Sequence, residues 1–261
     1  HAAVHIPLST TPELKAKYEK KTPMVGYPSN PQYAGLLEEL DQSVGRVVEA
    51  VEKAGIASNT LIFFLSDNGG LEHEQSGRVV TSNKPLRGEK GTLYEGGIRI
   101  PAIARWLGKV PAGSRCDTPL ITMDVFPTLV ELAETTMPKT QPSDGISLAA
   151  VLRDPAAKLS RDALQWHLPH YHHSTPASAL RQGDWKLIEF FEDGALELYD
   201  LKNDPGETIN LASTEATRAK TLQVALHNWR QEIGARLPVP NAKHDPSRAL
   251  ELGKGKGRRE E

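Results

Sequence analysis

The stretch LIFFLSDNGG, Leu61 to Gly70, decides the reading of the fold. Five apolar residues in a row suit a strand buried on both faces. The run then stops on Ser66, Asp67, Asn68 and two glycines. Asp and Asn side chains offer an anionic and a neutral oxygen, a pairing that suits Ca²⁺ or Mg²⁺ better than a soft metal. Glycines let the backbone close tightly around such a site. Asp-Asn-Gly is also ordinary turn composition, and on the tetrapeptide alone the turn is the simpler reading.

The surroundings give the strand its context. Upstream, residues 1–30 are punctuated by prolines and read as loop, with one short helix at Glu13–Lys20. A long helix follows. Ser29 or Asn30 can cap it, Pro31 suits its first turn, and Gly55 ends it. Tyr33, Leu36, Leu37, Leu40, Val44, Val47, Val48 and Val51 recur at steps of three and four and form one apolar stripe. Downstream, residues 67–97 are polar and Gly-rich, Ile98–Trp106 is a second strand, and TMDVFPTLVELAE is a helix with Thr122 or Asp124 near its start. Helix, strand, long loop, strand and helix predict an α/β fold with a mostly parallel sheet and flanking helices. Loops at strand ends are where such folds place their sites.

The texture changes after about residue 160. ALQWHLP, SALRQ, WKLIEFF and LELYDL read as short strands joined by turn residues, and a helix at about 213–236 follows. This predicts a small α+β subdomain with an antiparallel sheet. The division is 1–158 for the α/β part, 159–240 for the subdomain, and a charged, mobile tail at 241–261.

Composition narrows the function. The chain has 261 residues and a formal net charge of -2, which argues against a nucleic-acid partner. No apolar run approaches the ~20 residues of a membrane span. Cys116 is the only cysteine, so an intrachain disulfide and a multi-cysteine zinc site are excluded. The chain opens HAAVHIPLST, without an initiator Met or a signal-like segment, and is expected to be a processed chain or a piece of a longer one.

Three further features carry chemistry. NKPLRGEKGTLYEGGIRIP, Asn83 to Pro101, sets Lys84, Arg87, Lys90 and Arg99 among glycines. Such a loop can bring cations against an oxyanion, or can be a solvated loop and nothing more. His5 precedes a backbone-fixing proline region in VHIPL, and a lone His near a terminus is by default a surface residue. His167, His170, His172 and His173, with Tyr171, form a dense cluster that suits a transition metal, a substrate-facing loop, or a plain polar loop.

Taken together, VHIPL, the long helix, NTLIFFLSDNGG, LRGEKGTLYEGGIRIPAIARW, TMDVFPTLVELA and DGISLAAVLR resemble the C-terminal half of a type I, formylglycine-dependent sulfatase. GDWKLIEFFEDGALELYDLKNDPGETINLA resembles that family's C-terminal subdomain. The resemblance reaches to about residue 236 and implies an alkaline-phosphatase-like core. Glu89 stands where the family often has a glycine before the lysine.

By this resemblance Asp67 and Asn68 are ligands of an active-site Ca²⁺, Mg²⁺ being the lesser choice. Lys90 binds the sulfate ester, His5 is a proton donor near the leaving-group oxygen, and His170 lies on the substrate-facing loop. The implied substrate is a sulfated small molecule or glycan, and the implied location is secreted or periplasmic. No residue pattern sets an oligomeric state. The family's nucleophile motif, Cys/Ser-x-Pro-x-Arg, does not occur in these 261 residues, so formylglycine is expected in an N-terminal part. Two alternatives remain at this point: a phosphate- or phosphonate-ester hydrolase of the same superfamily, and an inactive truncated or degenerate remnant that only binds. Either way, this chain alone is expected to turn over no sulfate ester.

Overall fold

The computed structural model describes residues 1–75 and 77–243. The expected tail therefore lies, from residue 244 on, outside the described residues. Helix α1, Pro12–Glu19, starts at Thr11, whose hydroxyl accepts the Leu14 N–H. Helix α2, Pro31–Lys53, starts at Asn30, whose side chain accepts the Tyr33 N–H at 3.2 Å. A positive φ of 68° at Gly55 lets the chain leave the helix, as its sequence position suggested. Only Pro31 and Gly35 of α2 are buried, and Leu37 and Val47 of its stripe are exposed. Among the described residues α2 packs on α1, and the rest of its stripe is only partly covered.

Strand β1, Ile62–Leu65, is half-buried along its length rather than covered on both faces. A short hairpin follows, β2 (Glu74–Gln75) with β3 (Arg78–Val79), then a one-turn helix α3, Glu95–Ile98, and strand β4, Ala102–Arg105. β1 pairs with β4 in antiparallel register, Leu65 opposite Ala102 and Ile62 opposite Arg105. The expectation of a mostly parallel sheet is corrected here. A parallel return needs a crossover to the starting end of the first strand. This chain instead leaves β1 at Leu65, folds a glycine-rich loop at that same end, and enters β4 beside it. The antiparallel pairing has a consequence for the site, since it brings Ser66–Gly70 and Gly96–Arg99 to one sheet end.

A 3₁₀ turn at Thr122–Asp124 leads into helix α4, Val125–Leu132, and helix α5, Ala149–Arg153, lies within the DGISLAAVLR motif. Asp124 fixes this region. Its fully buried carboxylate takes two bonds from Arg161, at 2.7 and 2.9 Å, and accepts the N–H groups of Ile121 and Ile146.

The C-terminal part is an antiparallel meander of β5 (Leu164–Leu168), β6 (Ala177–Gln182), β7 (Trp185–Phe190) and β8 (Leu196–Asp200), followed by helix α6, Ala216–Glu232. Alternating side chains serve two cores, as a strand's period of two requires. Leu180, Leu187 and Leu198 pack on Ala219, Leu222 and Leu226 of α6. Ala177, Ala179, Ile188 and Tyr199 face the other way and enclose Leu93, with Tyr94 and Ile98 against them. The meander therefore serves as the floor of the glycine-rich loop. No helix among the described residues is long and apolar enough to cross a membrane.

Candidate active site

The two loops at the β1/β4 end are stitched together by backbone groups. Gly69 N–H donates to Gly97 O at 2.9 Å, and Lys90 N–H donates to Gly70 O at 3.2 Å. The Asn83 side chain bridges them. It accepts from Gly70 N–H, and its amide donates to Gly70 O at 2.8 Å and Gly88 O at 3.0 Å. Glycine is required at residue 69 because a Cβ there would stand 1.7 Å from Gly96 O. Both loops thus have fixed courses, unlike a turn that merely reverses the chain.

Asp67 is exposed and Asn68 half-buried at the tip of this arrangement. Ser66 Oγ donates to the Asn68 carbonyl at 2.8 Å, which bends the chain just past the strand. Among the described residues no hydrogen bond engages either the Asp67 carboxylate or the Asn68 side chain, so both oxygens are available to a hard cation.

The cations of the loop divide by role. Arg87 is a structural group. It donates to Tyr199 OH at 2.8 Å and Glu207 O at 3.1 Å and stacks on Tyr94, 4.0 Å from ring centroid to guanidinium carbon. Tyr94 and Tyr199 both donate to Glu197 at 2.8 Å, and burial together with that carboxylate raises both phenols well above the ordinary tyrosine value. Arg99 faces Glu95 at 3.9 Å. Lys90 differs from these. Its Nζ lies 2.8 Å from Nε2 of His5, and His5 Nδ1 lies 2.5 Å from the Ile6 carbonyl. With Nδ1 donating to that carbonyl, Nε2 carries the lone pair and accepts from the Lys90 ammonium.

The histidine cluster splits as well. His167 is structural, with Nδ1 at 2.8 Å from Ser178 Oγ and Nε2 at 2.9 Å from Arg236 O. Tyr171 donates to Glu192. His170 is exposed, and among the described residues it makes no hydrogen bond. It stays close enough to His172 to act on its charge. His172 covers Gly91, where φ is 84° and a Cβ would sit 1.8 Å from the imidazole Nδ1. Burial, followed by the charges of His173, Lys90 and His170, keeps the His172 imidazole below its ordinary value. The structure therefore brings His5, Lys90 and the Asp67-Asn68 loop together, with His172 above Gly91, and leaves His170 on the rim.

Sequence reasoning missed His73 as a member of the site and treated Glu89 only as a departure from a family pattern. Nδ1 of His73 and Nδ1 of His173 each lie 3.0 Å from Glu89 Oε1, while the Glu72 N–H donates to Glu89 Oε2 at 2.6 Å. Burial pushes the Glu89 carboxyl up, but the bonds from His173, the Glu72 amide and His73 outweigh it and hold it below the usual carboxylate range. His73, Glu89 and His173 form a set of metal-ligating groups among the described residues. No spacing rule joins residues from three separate segments, so only their types were visible in the sequence.

The chain is similar to known proteins along most of its length. The sulfatase family model matches residues 2–135, and a model of the N-sulphoglucosamine sulphohydrolase C-terminal region matches residues 88–233. A sulfatase of Formosa agariphila is 40% identical over 243 residues, covering 86% of this chain and 43% of that protein. Arylsulfatase H of Canis lupus familiaris is 32% identical over 269 residues, covering 91% of this chain and 46% of that protein.

Among solved structures, Ps i-CgsB in complex with k-i-k-neocarrahexaose superposes with a TM-score of 0.73 at 26% identity, over 98% of this chain and 53% of that one. BT4656 in complex with its substrate D-Glucosamine-2-N, 6-O-disulfate superposes with a TM-score of 0.61 at 30% identity, over 78% and 40%. The chain belongs to the sulfatase family, and its α/β part is a portion of the alkaline-phosphatase-like core. It spans less than half the length of these two sulfatase relatives.

Proposed function

We propose that these residues form the sulfate-binding and leaving-group side of a sulfate ester hydrolase that acts on a sulfated glycan outside the cytoplasm. The observation that carries the reading is the Lys90–His5 contact at 2.8 Å, set on the loop that is hydrogen-bonded to the Asp67-Asn68 turn. Family membership and the glycan ligands of the superposed structures support the substrate class.

In this reading the Lys90 ammonium binds the ester oxygens and neutralises charge that develops as the sulfur–oxygen bond breaks. Once Lys90 turns to the ester, Nε2 of His5 is freed of the lysine bond, takes up a proton from solvent and gives it to the departing oxygen, so the net products are sulfate and an alcohol. Nδ1 of His5, tied to the Ile6 carbonyl, keeps the ring turned with Nε2 toward the ester. Asp67 and Asn68 fit a hard divalent cation, with Ca²⁺ the preferred ion. Bound there, it would add positive charge beside the same oxygens. Two side chains are far short of the ~6–8 oxygens that Ca²⁺ takes, so further ligands belong to other groups. The nucleophile, a formylglycine, likewise belongs to a segment outside these 261 residues, which contain no Cys/Ser-x-Pro-x-Arg.

The test is a substrate panel on the complete enzyme: an aryl sulfate, sulfated oligosaccharides, and the matching phosphate esters. Sulfate release from the oligosaccharides, lost in Lys90→Ala, is expected. A steady phosphatase rate without sulfatase turnover would overturn the proposal.

A further inference from the structure

We propose that His73, Glu89 and His173 form a second metal site, separate from the Asp67-Asn68 turn and selective for a transition ion such as Zn²⁺. The three residues come from the segment after β1, the glycine-rich loop and the segment before β6. Their ligand atoms lie within 4.8 Å of one another. Each imidazole Nδ1 is 3.0 Å from the same carboxylate oxygen, Oε1 of Glu89. In a tetrahedral zinc site with bonds of ~2.0–2.1 Å, neighbouring donor atoms stand roughly 3.4 Å apart. An ion can therefore replace the shared protons with shifts of a few tenths of an ångström at the two nitrogen–oxygen separations, while the two imidazoles, at most 4.8 Å apart, draw together by up to about 1.4 Å.

The donor set selects the ion. Two neutral imidazoles and one carboxylate carry a single negative charge, which suits borderline ions and not Ca²⁺. The site also has outer support of the kind that orients metal ligands. The Glu72 N–H holds Glu89 Oε2 at 2.6 Å, which leaves Oε1 turned toward both imidazoles. His172 lies against His173, with ring centroids 4.4 Å apart, and backs that ligand. Access is open, because the His73 side chain is 63% exposed while Glu89 and His173 are only 16% and 21% exposed. Three protein ligands leave a fourth position for water or a ligand group. Because Glu89 immediately precedes Lys90, an ion at this site would cross-link three segments next to the sulfate-binding lysine.

The proposal stands apart from the sulfatase reading and is tested by binding alone. Tag-free chain, stripped with a chelator, is titrated with Zn²⁺ by calorimetry and with Co²⁺ by visible absorption. One ion per chain is expected, with Co²⁺ bands of a four-coordinate nitrogen–oxygen site and a raised unfolding temperature. The His73→Ala/His173→Ala double variant should bind at least 100-fold more weakly, and Glu89→Gln, which keeps the side-chain shape, at least tenfold more weakly. Asp67→Ala and His5→Ala should bind as the parent chain does. Circular dichroism of each metal-free variant checks its fold. If the double variant does not fold, Glu89→Gln decides. Unchanged affinity in Glu89→Gln, loss of binding in His5→Ala instead, or displacement of Zn²⁺ by a tenfold excess of Ca²⁺ would each overturn the proposal.

Discussion

The Lys90 ammonium donates to His5 Nε2 across 2.8 Å and 85 residues of sequence. His5 is exposed and Lys90 half-buried, and the contact between them is open to solvent. Two polar side chains held in contact at a fixed, solvent-open loop fit a site that acts on a bound anion.

Lys90→Ala should therefore separate rate from stability. Losing one donor to a developing oxyanion costs about 3–4 kcal/mol, or roughly two to three decades in turnover. Lys90 is half-buried and its ammonium contact is solvent-open, so its removal should sit at the low end, about 0.5 kcal/mol, of what point mutations cost. In the complete enzyme, turnover should fall by that factor while the melting temperature stays put. Near-normal turnover would return Lys90 to the solvated-loop reading.

Gly69→Ala should disrupt the site through the backbone. The added methyl would stand 1.7 Å from Gly96 O, a main-chain atom that cannot swing aside as a side chain would. It would also part Gly69 N from Gly97 O, now 2.9 Å away. Overpacking of this kind typically costs about 1–3 kcal/mol. Urea unfolding should show a loss in that range, whereas Gly45→Ala in α2, where φ is not positive and a Cβ meets nothing within 4 Å, should lose nothing. Equal losses in the two variants would mean that the loops do not meet as described.

Much of this architecture was legible because local periodicity reports it. The meander strands Leu164–Leu168, Trp185–Phe190 and Leu196–Asp200 fall within the runs read from turn residues, and Ala177–Gln182 starts one residue before its run. Asn30 and Gly55 bounded α2 as cap chemistry requires. The direction of β4 against β1 was not legible, because an apolar run does not encode the partner's orientation. The division of loop cations was equally hidden. Arg87 and Lys90 look alike in sequence, yet one is fixed by Tyr199 and Glu207 O and the other faces His5. Such roles depend on contacts more than 80 residues away, which composition does not carry.

Acid should weaken the meander–helix interface through Glu189. This β7 carboxylate is 8% exposed and takes hydrogen bonds from Gln223 at 2.9 Å, Arg230 at 2.6 Å and His227 at 2.9 Å, all on α6. Burial pushes its carboxyl up, but the bonds from His227, Gln223 and Arg230 outweigh that and hold it below the ordinary range. The unfolded chain then binds the proton more readily than the folded one. The stabilisation is complete above the ordinary glutamate value of ~4.3 and is lost as pH falls through the lowered folded value. The melting temperature of the parent chain should drop more steeply than that of Glu189→Gln between about pH 5 and about pH 3. Parallel slopes would place the acid sensitivity elsewhere.

The buried pair beneath the glycine-rich loop sets the last expectation. Lys186 on β7 is fully buried, with Nζ 3.0 Å from Glu95 Oε1 and 2.8 Å from Glu207 Oε1. Glu95 opens α3, and its N–H donates to Glu207 Oε2 at 2.6 Å. One ammonium therefore joins the meander, the helix that follows Lys90, and the segment after β8. Its two carboxylates are not equally supported. Glu95 also faces Arg181 at 3.5 Å and Arg99 at 3.9 Å, but Lys186 is the cation paired with Glu207 among the described residues. Burial pushes the Glu207 carboxyl up against the pull of Lys186, so its charge depends on that lysine. Lys186→Met keeps the length of the side chain and removes the charge. Breaking one side of a buried pair costs about 3–5 kcal/mol, because the remaining charge is left without a partner. Replacing both sides often costs little. Lys186→Met should thus lose stability in that range on urea unfolding, and adding Glu207→Gln to it should recover a substantial part. A loss under about 1 kcal/mol in the single variant, or no recovery in the double, would show that packing and not the ion pair fastens the loop to its floor.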